Sequence, residues 1–248
     1  MGVESRRIDV STPDGTIDCH VFTPAGSGPW PAVLFYMDAF GVRPQLAEMA
    51  GRLASHGYVV VVPNLYYRSG TYAPFDPKLV FTEGPERDRF KGMIQSINDT
   101  MVMRDTAAVI GMLDAQRAVR PGRIGVVGYC MGGGFAVSAA GTFPDRVAAA
   151  ASLHGGSLAT DKPDSAHLLA GRIRGRVYVG VAELDQSFSR EQQERLNRAL
   201  SEAGVDYIIE TYLGAKHGFA VTGHLVYDRG ASEKHWERLL SLFKEALQ

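Results

Sequence analysis

Short apolar runs alternate along the chain with longer segments in which apolar residues recur every three or four positions. That alternation predicts strands followed by helices, the pattern of a parallel sheet covered on both faces. The run Tyr58-Val59-Val60-Val61-Val62, closed by Pro63, has no polar alternation, as required of a strand buried on both sides. Strands predicted over 8–10 and 17–22 flank Thr12-Pro13-Asp14-Gly15, a turn sequence, so the chain is expected to open with a hairpin. Further strands are expected over 32–36, 123–127, 148–153, 176–182 and 207–211. Helices are expected over 45–56, 99–116 with Asp99 as cap, 132–141, 189–203 and 232–246. The sum is an α/β fold of about eight mostly parallel strands flanked by helices on both faces, in one domain over 1–248. Between 66 and 98 the periodicity dissolves into Gly, Pro and charged residues, which reads as a lid-like loop. Its Tyr66, Tyr67, Tyr72 and Phe75 suit either an apolar ligand or the lid's own packing.

Charge narrows the partners. With 26 Lys+Arg against 27 Asp+Glu, the chain has no field to draw nucleic acid or an anionic membrane. No apolar stretch approaches the ~20 residues of a membrane span. Residues 1–10 carry Glu4, Arg6, Arg7 and Asp9 and no apolar stretch, so they do not read as a secretory signal. Cys19 and Cys130 stand far apart and make neither a CxxC pair nor a disulfide framework. No HExxH or Cys/His cluster argues for a metal. The expectation is a cytoplasmic protein, a monomer or small homo-oligomer, acting on a small molecule without metal or other cofactor.

The candidate chemistry lies in Gly128-Tyr129-Cys130-Met131-Gly132, where an apolar strand meets a helix of small residues. Gly-x-Cys-x-Gly at such a junction is a nucleophile elbow with cysteine in place of serine. The side chain stands over a helix N-terminus, which favours a thiolate, and the Met131 amide is free to face a developing oxyanion. A small buried cysteine in a Gly-rich turn is the alternative. An elbow requires an acid and then a histidine, each beyond a later strand. Asp185 follows the strand over 176–182, with Glu183 as its competitor, and His217 follows the strand over 207–211. His20, His56, His154, His167, His224 and His235 are expected to be structural.

These residues resemble the dienelactone hydrolase family of α/β-hydrolases, whose triad is Cys-Asp-His. The resemblance extends to Met37-Asp38-Ala39-Phe40-Gly41-Val42, Pro63-Asn64-Leu65-Tyr66-Tyr67-Arg68 and His217-Gly218-Phe219. It implies that Cys130 attacks a lactone or ester carbonyl, His217 shuttles the proton and Asp185 orients the imidazole. The amides of Ala39 and Met131 would form the oxyanion hole. It also implies a carboxylate beside the thiol, here Asp38 where the family carries the longer Glu, and a substrate-gripping arginine, matched loosely by Arg89. Phe40 and Tyr129, within the same motifs, are the remaining candidates for substrate contact. The family's second arginine, four residues after the histidine, is replaced by Val221. A lactone or small-ester hydrolase is therefore expected, with a less acidic substrate than a dienelactone. A thioesterase or acyltransferase with the same triad, and a ligand sensor on the same fold, stay open.

Overall fold

The valine-rich and alanine-rich runs can lose both faces to packing because they carry almost no polar side chains, and they form the middle of one eight-stranded sheet. The computed structural model describes residues 1–247. In chain order the strands are β1 Val3–Thr12, β2 Gly15–Pro24, β3 Ala32–Tyr36, β4 Val59–Pro63, β5 Ile124–Tyr129, β6 Val147–Leu153, β7 Arg176–Ala182 and β8 Tyr207–Tyr212. Across the sheet they lie β1-β2-β4-β3-β5-β6-β7-β8. The β1–β2 hairpin and the β2–β4 pair are antiparallel, and every other pair is parallel. Every residue of β3, β4, β5 and β6 is buried.

Among the described residues, six α-helices accompany the sheet: α1 Pro44–Ala54, α2 Pro85–Gln95, α3 Asp99–Asp114, α4 Met131–Thr142, α5 Arg190–Glu202 and α6 Arg229–Leu247. α1 and α6 cover one face, where Arg52 and Glu233 pair between them, and α3 and α4 cover the other. Among the described residues, no helix is long and apolar enough to cross a membrane.

Two expectations need correction. The segment over 66–98 is not a plain loop, since α2 occupies its second half. Pro85 opens α2, Glu86 and Asp88 sit in its first turn, and Glu86 pairs with Arg89 one turn on. Only Phe90 of this helix is buried, so it carries almost no apolar periodicity to read. The cap of α3 is Asn98 rather than Asp99: its side chain accepts the Met101 N–H at 3.0 Å, and Asp99 is already helical.

The topology creates the site. From β3 the chain crosses through α1 to β4 on one side, and from β5 it crosses through α4 to β6 on the other. The carboxyl ends of β3 and β5, aligned with Tyr36 opposite Gly128, therefore face a crevice that no crossover covers, where α/β sheets bind ligands. At the β5–α4 junction strand and helix nearly touch. A Cβ on Gly128 would stand 1.8 Å from the Gly132 carbonyl oxygen, and one on Gly132 would stand 2.5 Å from that of Met37. Gly111, by contrast, lies in mid-α3 with open space around it. Gly128→Ala should cost at least about 3 kcal/mol, because the obstacle is backbone. Gly111→Ala should gain about 0.5–1 kcal/mol from lost unfolded-state freedom. Urea unfolding of both variants checks these opposite signs.

Candidate active site

Three loops at the carboxyl edge of the sheet bring Cys130, Asp185 and His217 together. Cys130 sits at the elbow with φ 56° and ψ −121°, outside the comfortable range of an L-residue. This backbone is held: the Cys130 N–H reaches the Leu153 carbonyl at 3.1 Å and Nδ1 of His154 at 3.2 Å. The conformation leaves the sulfur half-exposed at the head of α4.

The Asp185 side chain is almost fully buried, and one of its oxygens receives the Nδ1–H of His217 at 2.6 Å. Its other oxygen accepts the Ser187 backbone N–H at 2.8 Å and the Ser187 hydroxyl at 2.7 Å. Burial works against ionisation of Asp185, but His217 and these donors outweigh it and hold the carboxyl below its ordinary value. Burial likewise works against a charged His217, yet the adjacent Cys130 sulfur and the Asp185 carboxylate raise it to about 10. Glu183 instead accepts the Gly214 N–H at 2.7 Å, outside this cluster.

Cys130 and His217 border a cleft of about 690 Å³ that Ala39 and Met131 also line. Among the described residues the amides of Ala39 and Met131 donate to no protein acceptor. For Met131 the reason is general, since the first residue of a helix has no preceding turn to bond. A sulfur beside an imidazole held on a carboxylate, with two amides lacking acceptors on neighbouring residues, is an arrangement able to bind negative charge developing on an oxygen.

The dienelactone hydrolase family model matches residues 17–247. The chain belongs to the dienelactone hydrolase family. Over its whole length it is 26% identical to a Synechocystis protein named "Putative carboxymethylenebutenolidase", all of whose length is matched. A Klebsiella pneumoniae structure titled "Putative Dienelactone Hydrolase" superposes with TM-score 0.86 at 22% identity, covering 99% of this chain and all of that one. A dienelactone hydrolase-like promiscuous phosphotriesterase from metagenomic libraries superposes with TM-score 0.81 at 23% identity, covering 99% of each chain. These two superpositions establish the fold.

Measured against family expectation, four side chains stand elsewhere. Asp38 is fully buried and is not free to address the thiol. One oxygen accepts the Phe40 N–H at 3.0 Å and Nη1 of Arg43 at 2.5 Å. The other accepts Nη2 of Arg43 at 2.7 Å and lies 3.2 Å from Nε2 of His224. Burial pushes the Asp38 carboxyl up, but His224 and Arg43 together bring it to about 2. With its lone pairs filled, it anchors the loop after β3.

Arg89 holds Glu86 and the carbonyls of Ala73 and Pro74, with its guanidinium 4.1 Å above the Phe75 ring, so it fastens the lid to itself and does not line the Cys130 cleft. Tyr129 is buried on the opposite face of the sheet, because neighbouring strand residues point oppositely, and its hydroxyl meets His235 at 3.1 Å. Phe40 packs on Phe90 and His224 and faces a separate cavity beyond the loop. Phe75 and Phe90 cluster with Ala39 and Val80, so these lid aromatics pack on one another above Cys130.

Sequence reasoning missed Ser187, Arg43, His224 and the position of His154. Only Ser187 left a local signal, as the hydroxyl of an Asp-x-Ser turn before a helix.

Two outcomes follow from these contacts. Arg43→Met should cost about 3–5 kcal/mol in urea unfolding, because it leaves a buried carboxylate short of its main partner. The His217 charge contributes stability below its ordinary value of 6.5 and loses it as pH rises through about 10. NMR of the imidazole carbons should show that high titration, and Asp185→Asn should lower it.

Proposed function

We propose that the protein hydrolyses an uncharged lactone or small carboxylic ester through an acyl-enzyme on Cys130. One observation supports this reading: Cys130 and His217 border the same cleft as Ala39 and Met131, the two residues with unpartnered amides, and Asp185 bonds His217 from behind. The Cys130 thiolate attacks the carbonyl carbon, a carbon–sulfur bond forms, and the carbonyl electron pair moves to oxygen. The Ala39 and Met131 N–H groups meet that oxyanion, interactions stronger in the transition state than in the ground state. As the tetrahedral adduct collapses, the carbon–oxygen bond to the leaving group breaks and imidazolium His217 protonates the departing oxygen. In a lactone that oxygen stays tethered to the acyl chain. Neutral His217 then takes a proton from water, hydroxide adds to the thioester, and the thiolate leaves, restoring the ion pair. Asp185 keeps the Nδ1 proton in place throughout, so Nε2 does the exchanging.

The substrate's charge is argued from the walls. No arginine lines the cleft among the described residues, and Lys162 is outnumbered by Asp99 and Asp164. Burial raises the Asp99 carboxyl above its ordinary value, with Asp164 adding to the effect after burial, so added negative charge is opposed there. Val221, where the family carries its second arginine, is fully buried. A carboxylate-bearing dienelactone lacks the charged clamp worth about 1.5–3 kcal/mol per hydrogen bond to a charged group. Cys19 is buried in β2, its thiol pushed up to about 12 chiefly by burial, which disfavours a redox pair with Cys130.

The test is hydrolysis of an uncharged aryl acetate, its thioester counterpart and a dienelactone by wild type and Cys130→Ala. Wild type should cleave the aryl acetate with kcat/KM at least about tenfold above the dienelactone, as one lost charged contact requires, and Cys130→Ala should lose both. Full activity in Cys130→Ala would refute the mechanism, while preference for the dienelactone would refute the substrate class.

A further inference from the structure

The oxyanion-hole amide of Ala39 depends on a turn that is tied down from two sides. Asp38 to Gly41 forms a β-turn, with the Gly41 N–H on the Asp38 carbonyl at 3.1 Å. Within it, the peptide unit joining Ala39 and Phe40 has both polar ends engaged by side chains. Its N–H goes to Asp38 Oδ1 at 3.0 Å, and its carbonyl accepts the Tyr66 hydroxyl at 3.0 Å. Tyr66 is fully buried just beyond β4, and its oxygen also lies 3.6 Å from Sδ of Met131. One hydroxyl therefore touches both residues whose amides lack a protein acceptor.

We infer that Tyr66 is the positioning residue of the oxyanion hole: by holding the Ala39 carbonyl it fixes the turn that aims the Ala39 N–H at the developing charge. This rests on the hydrolase reading above. Tyr66 itself touches no reacting atom. Its ring is held edge-on to Tyr72, with centroids 5.7 Å apart, and its backbone N–H is taken by the Asn64 side chain at 3.2 Å. The hydroxyl's placement is thus set before substrate arrives. Without it, the carbonyl is a buried acceptor without its donor and the peptide is held only through its N–H on Asp38.

Tyr66→Phe keeps the ring and removes only the hydroxyl. For an aryl acetate, kcat should fall about tenfold, less than the hundredfold or more that follows removal of an oxyanion donor outright, with KM changed by less than about twofold. An aryl aldehyde, which adds to the thiolate and places an oxyanion-like oxygen in the same hole, should inhibit about tenfold more weakly. Alkylation of Cys130 by iodoacetamide, which needs no oxyanion hole, should keep its wild-type rate. Unchanged kcat and inhibition would overturn the role, as would alkylation falling in step with kcat, since the hydroxyl would then support the thiol or the fold. Cys130→Ala in the same assays separates the two levels. If it keeps wild-type turnover the hydrolase reading fails and the Tyr66 role with it, whereas if it is inactive while Tyr66→Phe equals wild type, only the Tyr66 role fails.

Discussion

The close contact of β5 and α4 at Cys130 constrains everything else in the site. The strand can reverse into a helix within one residue only because Gly128 and Gly132 present no side chains where the two backbones meet. The cost appears as a positive φ at Cys130, a strained conformation held in place by hydrogen bonds that its N–H donates to β6 and His154. In return the sulfur stands clear of the sheet over a helix N-terminus, and the next amide is left without an acceptor. The topology adds the second half, because β3 lies directly beside β5 and delivers its own turn to the same place.

Two buried carboxylates serve this arrangement in contrasting ways. Asp38 is surrounded by donors, and its strongly held charge organises the backbone around Ala39 without acting on any reacting group. Asp185 keeps one oxygen for His217 and gives the other to Ser187, so its charge is directed at a single imidazole. The difference lies in valence more than in burial, since a carboxylate with every lone pair filled has nothing left for a thiol. The shorter side chain of Asp38, compared with the glutamate the family carries, is matched here by a role in the loop.

How much could be read from the chain alone varied with the range of the forces involved. The eight strands and most of the helices were legible because apolar periodicity is local, and a sheet buried on both faces demands unbroken apolar runs such as the one from Tyr58 to Val62. α2 was not, because it buries one residue and is held by charge pairs and a proline start, features that also mark exposed loops. Asn98 took the cap from Asp99 because the cap is the last residue still in the extended region before the helix, a choice the neighbouring chain makes. The lid aromatics admitted two interpretations in sequence, and both have structural counterparts: Phe75 packs on Phe90 and Ala39, while Tyr67, Tyr72 and Phe75 also line the cavity that Phe40 faces.

The fold class was settled by the order of residues, and the elbow pattern at Cys130, with Asp185 and His217 after it, could be read there too. Each is a pattern along the chain: period, spacing, and residue type at a strand end. Where Asp38, Arg89 and Tyr129 point, and what holds Ala39, was settled only when the chain folded. Those outcomes depend on partners far away in sequence, such as His224, 186 residues beyond Asp38, and His235, 106 beyond Tyr129. A charged or hydroxyl-bearing side chain bonds to whatever complement the fold brings within about 3 Å, and sequence spacing does not encode that distance.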